Sequence, residues 1–288
     1  MTIVSIGEIL WDLFPATQRL GGATFNFSVH ARKCGHDVVF LSAVGNDARG
    51  HEAIRRAADL GLPPQYIQTV DFPTGRVTVG FDAAGHPDFV MHRPAAYDQV
   101  VMTDAVAACK PDWIYYGTLH QIYPHTLEQT RLLIQSAPGA RKFYDINLRR
   151  DCYTPDLLWQ LMEQADVVKL NDTEAAEIDR MAGRPHTSFA EFTAHWSERM
   201  NWQAVAITRG ADGCSVRVGG TYLEAPSYRI EVADTVGAGD SFSAAFLHGL
   251  ASDWAPAKCA DFANRVGALV ASKPGGIPAW TVAEAWSL

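Results

Sequence analysis

Several large classes are excluded by what the chain lacks. It has no Gly-Lys pair, so a Walker phosphate loop, which needs a lysine directly after its last glycine, is absent. It has no CxxC pair. Cys34, Cys109, Cys152, Cys214 and Cys259 are odd in number and widely spaced, which argues against a disulfide framework or a zinc site and for a reducing compartment, the cytoplasm. No apolar run is long enough to span a membrane, and the start, Met1 to Glu8, has no basic region and reads as a first strand rather than a signal peptide. Positive charge is not in excess. A net charge of -8 gives no overall attraction to nucleic acid or anionic membranes, so neither is an expected partner. A local cradle of backbone N–H groups can still hold an anion in such a chain. The first strand is followed by Gly7-Glu8-Ile9, which is no dinucleotide fingerprint, and this removes the mark expected of a nicotinamide dehydrogenase.

What is present is a large apolar fraction in an alternating pattern. Hydrophobic residues make up 48% of the 288 and charged residues 19%, enough for a sizeable core. Apolar runs at Ile3–Ile6, Val38–Val44, Trp113–Tyr116, Lys142–Ile146, Val167–Leu170 and Ala204–Thr208 read as strands. Between them lie helical segments at Thr24–Cys34 (Thr24 as cap), Ala48–Leu60, Thr126–Ala137, Pro155–Gln164, Thr173–Met181 and Phe189–Met200. Strands alternating with helices predict an α/β fold with a mostly parallel sheet covered on both faces. Two segments break the rhythm. Residues from about 71 to 93 read as a hairpin turning near Gly85, a candidate β lid inserted in a single domain spanning 1–288. Cys214–Val218 and Thr221–Ala225 form a second hairpin, followed by helices at about Ala238–Ala251 and Ala257–Ser272.

The sharpest local signal is Asp234-Thr235-Val236-Gly237-Ala238-Gly239-Asp240-Ser241-Phe242, a glycine-rich loop opening into an apolar-periodic helix. Small residues let backbone N–H groups approach a ligand, and the helix start adds partial positive charge, so this is a site for phosphate. Asp240, in the first turn, is placed to accept a proton from a substrate hydroxyl. The plain alternative is a tight turn with an acidic helix start. As a dinucleotide fingerprint the segment lacks a third glycine and lies too late in the chain.

This segment resembles the C-terminal signature of the ribokinase-like (PfkB) carbohydrate kinases, and five further motifs follow the family's order. Gly21-Gly22-Ala23-Thr24-Phe25-Asn26 is similar to its GG…N motif, Val44–Gly50 to VGxDxxG, Asp145–Arg149 to DxNxR, Lys169–Glu174 to KxNxxE, and Thr208–Gly213 to TxGxxG. The resemblance implies a ribokinase-like three-layer sandwich with a small β lid, and transfer of the γ-phosphoryl group of ATP to a sugar hydroxyl.

By that resemblance Asp240 is the general base, and the N–H groups of Gly237, Ala238, Gly239 and Asp240 form an anion hole for the moving phosphoryl group. Asn171 and Glu174, one helical turn apart, organise Mg2+ through its waters; in isolation they also read as a capping box. Thr208, Gly210 and Gly213 belong to the nucleotide segment, and Asn264 sits where the family brings a helix beside adenine, with the loop Pro274–Pro278 closing that edge. Asp234 and the Val236 carbonyl match the family's monovalent cation site, which implies K+. Asp12 is a candidate acceptor for sugar hydroxyls or a surface turn carboxylate, and Gly22 and Asn26 add contacts from the helix start. Arg149 reaches a substrate oxygen or phosphate, or pairs with Asp145 or Asp151. Tyr97 packs on a sugar face or in the core. Val77, Val79 and Phe89 on the lid close over the sugar and exclude water. An exposed lid face is a candidate homodimer surface, as well explained by a hairpin folded on its own core.

Within the family, Gly7–Pro15 followed by Leu20-Gly21-Gly22, and Ala95–Asp98, look most like bacterial fructokinases. Thr24-Phe25 departs from the segment expected before Asn26, and Asn46 stands where an acidic residue is common. Kinases for 2-keto-3-deoxygluconate, ribose and nucleosides share the main motifs. A non-catalytic sugar-binding regulator on this fold would be expected to lose the base, and Asp240 is present.

Overall fold

Short, mostly β-branched and aromatic runs that are apolar on both sides become strands covered on both faces. In the computed structural model, which describes residues 1–81 and 87–288, nine of them form one sheet. Strands and helices are numbered along the chain. Seven parallel strands run in the order β11 (Ala204–Thr208), β10 (Val167–Asn171), β9 (Arg141–Asp145), β8 (Trp113–Gly117), β1 (Thr2–Ile6), β4 (Asp37–Gly45) and β5 (Ile67–Val70). An antiparallel hairpin, β12 (Cys214–Val218) and β13 (Thr221–Ala225), extends the β11 edge.

The side-chain period of two sends alternate residues of each strand to opposite faces. Ile3, Phe40, Tyr115 and Phe143 enter one core with α1 (Ala23–Lys33), α2 (Ala48–Asp59), α8 (Ala238–Ala251), α9 (Pro256–Ala271) and α10 (Val282–Ser287). Val4, Leu41, Ile114 and Tyr144 enter the other, with α3 (Asp104–Ala107), α4 (Pro124–Ser136), α5 (Pro155–Gln164), α6 (Asp172–Ala182) and α7 (Phe189–Met200). The result is the expected three-layer sandwich. Among the described residues no helix is long and apolar enough to cross a membrane.

A second sheet of four strands has the order β3 (Gln18–Gly21), β2 (Leu10–Leu13), β6 (Gly75–Phe81) and β7 (Pro87–His92). The β6–β7 hairpin lies within the 71–93 segment, but half of the sheet comes from residues 10–21, because β2 pairs in parallel with the distant β6. The turn expected near Gly85 lies outside the described residues, as do the side chains of Val79 and Phe89. Val77 is buried against Leu10, Ala95 and Tyr97.

Two helix starts differ from expectation: α4 begins at Pro124 and not at Thr126, and α1 is not capped by Thr24. Gly22, with φ of 109°, caps α1, and Thr24 lies inside the helix. The Glu8 carboxylate accepts both the Thr24 N–H and its hydroxyl, each at 3.2 Å. A side chain from the neighbouring strand end therefore serves the helix start from outside, and Thr24 has no capping role.

Candidate active site

The carboxyl ends of the parallel strands are where an open α/β sheet presents its loops to ligands. Here they carry Glu8 beyond β1, Asp145 at the end of β9 and Asn171 at the end of β10. The N-terminus of α8 points into the same region. Gly237 sets its direction. It takes a left-handed φ of 77°, and a Cβ there would stand 2.2 Å from the Gly276 carbonyl oxygen, so only glycine lets the two loops touch. Gly276 is held in turn from α1. The His30 ring accepts from Trp280 Nε1 at 2.9 Å and therefore donates from Nε2 to the Gly276 carbonyl, also at 2.9 Å. Lys33 Nζ donates to the Pro278 carbonyl at 2.6 Å. The loop Pro274–Pro278 thus backs the glycine-rich turn.

Gly239 and Asp240 occupy the first turn of α8, where backbone N–H groups have no partner inside the helix. The Ala238 N–H is less free, because it lies 3.3 Å from the Thr235 carbonyl. Asn26 Nδ2 donates to Asp240 Oδ2 at 2.8 Å and fixes the carboxyl rotamer. Asn26 Oδ1 is buried with no hydrogen-bond partner among the described residues, an acceptor beside that carboxyl. Burial, then the nearby Asp145 charge, raises the Asp240 carboxyl to about 7, against the pull of Asn26, Lys169 and Arg149. A carboxylate tuned near neutrality is what general base catalysis at physiological pH needs.

Beneath this turn lies a buried pair to which the sequence motifs gave no role. Lys169 Nζ is 3.2 Å from Asp145 Oδ1, and a Cβ on Gly239 would come within 3.1 Å of that ammonium. Asp145 Oδ2 also accepts from Ser243 Oγ at 2.7 Å and Tyr115 OH at 3.2 Å. Burial alone would lower Lys169, but Asp145, Glu174 and Asp240 more than offset it and hold the group charged. A charged ammonium, paired with Asp145, therefore lies under the first turn of α8. The signal was a lysine inside a buried strand beside a strand ending in aspartate.

On the acceptor side, Asp12 of β2 is partly enclosed and its carboxyl is raised to about 6, by burial first, with Arg149 and Arg19 opposing. Gly22 cannot carry a side chain, because a Cβ would meet the Glu8 carbonyl at 2.7 Å. Arg149 is exposed and donates to the Leu148 carbonyl; Asp145 is taken by Lys169. The pairing of Arg149 with Asp145 is thus overturned, and among the described residues Arg149 forms no salt bridge with Asp151 either. Tyr97 is corrected too. It is 1% exposed and packs against Gly75, where a Cβ would meet its ring at 2.6 Å, so it fills the small core and offers no open face. Arg93, nearby, is bound bidentately by Asp98 and donates to the Leu119 carbonyl.

Asn171 and Glu174 form a reciprocal capping box, each side chain accepting the other's N–H at 2.8 Å. Glu174 Oε1 also accepts the Leu148 N–H at 2.8 Å, which ties the Arg149 loop to α6. Among the described residues no cluster of three or more His, Cys, Asp or Glu could cage a metal. One carboxylate and one carboxamide suit an ion held mostly by water and phosphate oxygens, as Mg2+ is. Thr208 ends β11. Gly210 and Gly213 follow at φ of 54° and 86°, and a Cβ on Gly213 would collide with the Ala225 carbonyl at 2.0 Å. Asn264 is buried, and its amide donates to the carbonyls of Ala225 and Pro226. It positions that segment instead of facing a base.

The cation expected at Asp234 and the Val236 carbonyl meets a carboxylate already in use. Arg19 Nη1 lies 2.6 Å from Asp234 Oδ2, which also accepts the Gly275 N–H at 3.1 Å, while Oδ1 accepts the Val236 N–H at 3.0 Å. A donor set neutralised by a guanidinium does not fit K+. Sequence reading missed Arg19, because its partner lies 215 residues away.

A family model described as pfkB family carbohydrate kinase matches residues 7–282. Fructokinase-1 of Zea mays is 25% identical, over 96% of this chain and 93% of its own length. The 2-dehydro-3-deoxygalactonokinase of Haloferax volcanii is 26% identical, over 80% of this chain and 74% of its own. Among solved structures, a fructokinase from Xylella fastidiosa with bound ATP matches with a TM-score of 0.89 at 24% identity, covering 99% of this chain and 97% of that one; at this identity the likeness speaks for the fold.

Proposed function

Because the chain belongs to the pfkB family of carbohydrate kinases, we propose that it transfers the γ-phosphoryl group of ATP to a hydroxyl of a small sugar, with fructose as the acceptor. The observation that carries this reading is Asp240, held by Asn26 in the first turn of α8 with its carboxyl raised to about 7, directly after the glycine-rich turn. In this reading Asp12 and the buried Asn26 Oδ1 accept from sugar hydroxyls and orient one of them toward Asp240. Asp240 takes that hydroxyl's proton as its oxygen attacks the γ-phosphorus and the bond to the β-phosphate oxygen breaks, releasing ADP. The Gly239 and Asp240 N–H groups and the Lys169 charge face the oxygens on which negative charge concentrates. Asn171 and Glu174 would hold Mg2+, which would supply neutralisation of phosphate charge. Thr208, Gly210 and Gly213 shape the nucleotide edge. The β6–β7 hairpin serves as the lid that keeps water from the phosphoryl group.

A neutral sugar is favoured because the groups offered on the acceptor side, the Asp12 carboxyl and the buried Asn26 Oδ1, accept from hydroxyls and would not pair with a carboxylate. A 2-keto-3-deoxy sugar acid is the second reading, with Arg149 facing its carboxylate; the Haloferax volcanii relative is named for such an acceptor. ADP release from Mg-ATP, measured across fructose, ribose, glucose, 2-keto-3-deoxygluconate and adenosine, tests both. Turnover on fructose above all others is expected. Preference for the sugar acid, lost in Arg149→Gln, would replace fructose and keep the mechanism. Sugar binding without any ADP release would remove the kinase assignment.

A further inference from the structure

We propose that Arg19 is a built-in cation: its guanidinium takes the place of a monovalent metal ion at Asp234 and couples the acceptor-binding strand to the anion hole, so phosphoryl transfer needs no K+. This rests on the kinase reading above and adds a positioning residue to it. Asp234 is 17% exposed and opens the glycine-rich turn, so its charge lies close behind Gly237–Asp240. Left alone, that carboxylate would oppose the arrival of a triphosphate. Arg19 neutralises it at 2.6 Å, while the Gly275 and Val236 N–H groups use the carboxylate's other directions. What remains is a neutral cluster in which both carboxylate oxygens already accept from protein donors, one from Val236 and the other from Arg19 and Gly275.

The second observation is the register of the small sheet. Arg19 on β3 stands directly opposite Asp12 on β2, and opposed residues of an antiparallel pair share a face. The guanidinium therefore lies between the acceptor carboxylate and the anion-hole carboxylate, and the charges of both Arg19 and Asp234 are felt at Asp12. A bound metal ion would neutralise Asp234 but could not tether β3. Arginine does both, since its planar fork carries a permanent charge on a strand. Arg19 itself is 49% exposed, so its pair contributes little to folding and its removal should leave the chain folded.

The test compares wild type, Arg19→Gln and Arg19→Lys in K+ and in tetramethylammonium, reading initial rates and melting temperature. Wild-type rates and melting temperature should not differ between the two salts. Arg19→Gln should lose about tenfold or more in kcat in tetramethylammonium, in line with the loss of a fixed charge near a developing one. K+ should restore part of that rate and raise the melting temperature of Arg19→Gln by about 2–4 °C, the size expected when a ligand binds only the folded state. Arg19→Lys should behave as wild type. Stimulation of wild type by K+, a full rate for Arg19→Gln without K+, or a slow Arg19→Gln that K+ neither speeds nor stabilises would each overturn the proposal. The melting arm needs no turnover. A chain that phosphorylates no sugar but still shows K+ stabilisation only in Arg19→Gln would remove the kinase reading and keep the cation replacement.

Discussion

Asp240 illustrates how one side chain answers to several constraints. Its folded carboxyl, at about 7, lies above the ordinary value of 3.8, so the folded state holds its proton more tightly than the unfolded chain. Stability from this group is fully present below the unfolded value and is lost as pH rises through about 7. Asp240→Asn should therefore melt above wild type at pH 8, with the gap closing toward pH 4, as followed by thermal scans. The same shift predicts an acid limb near pH 7 in kcat/KM, with activity rising as Asp240 ionises. Asn26→Ala removes the donor that favours the charged form and should move that limb to higher pH. Both effects are read from pH–rate profiles. Asp240, Asn26 and Gly237 were legible in the sequence because each lies in a contiguous motif. Arg19 and the Lys169–Asp145 pair were not, because their partners are set by strand register and by loops far apart in the chain. Tyr97 and Asn264 differ for the opposite reason: burial settles Tyr97 on the core, one of its two readings, and turns Asn264 toward the carbonyls of Ala225 and Pro226.

At the level of elements, six of the seven parallel strands and most of the helices followed from periodicity and caps, since strands with apolar runs and helices opened by Thr154 or Asn171 announce themselves locally, whereas the four-residue β5 was not read. The small sheet did not follow in this way either. β2 and β3 are four residues each; β3 pairs only with β2, and β2 in turn depends on pairing with β6 more than 50 residues later. The contact between the glycine-rich turn and the Gly276 loop is likewise non-local, and it can be broken singly. Gly237→Ala adds a Cβ at a positive φ and 2.2 Å from a carbonyl oxygen. It should cost about 1–3 kcal/mol in a denaturant titration, as forced backbone strain does. Because the same glycine aims the anion hole, kcat should fall by about 10² or more, while sugar affinity, set from β2 and α1, should change little.

For the whole molecule, labour is divided between a three-layer body that carries the glycine-rich turn and Asp240 and a small sheet that carries Asp12 and Arg19. If the small sheet closes on the body when both substrates are present, a sugar and a non-hydrolysable ATP analogue together should raise the melting temperature by more than the sum of their separate effects. Strict additivity would mean that the sheet does not move. The central claim is that this chain moves a phosphoryl group to a sugar with Asp240 as base. Its most direct test is single-turnover transfer from Mg-ATP to the preferred sugar, in wild type and in Asp240→Asn, with ATP binding measured on both. The account predicts unchanged ATP affinity and transfer slowed by about 10² to 10⁴-fold, the contribution of a positioned base. Transfer by Asp240→Asn at the wild-type rate would contradict it.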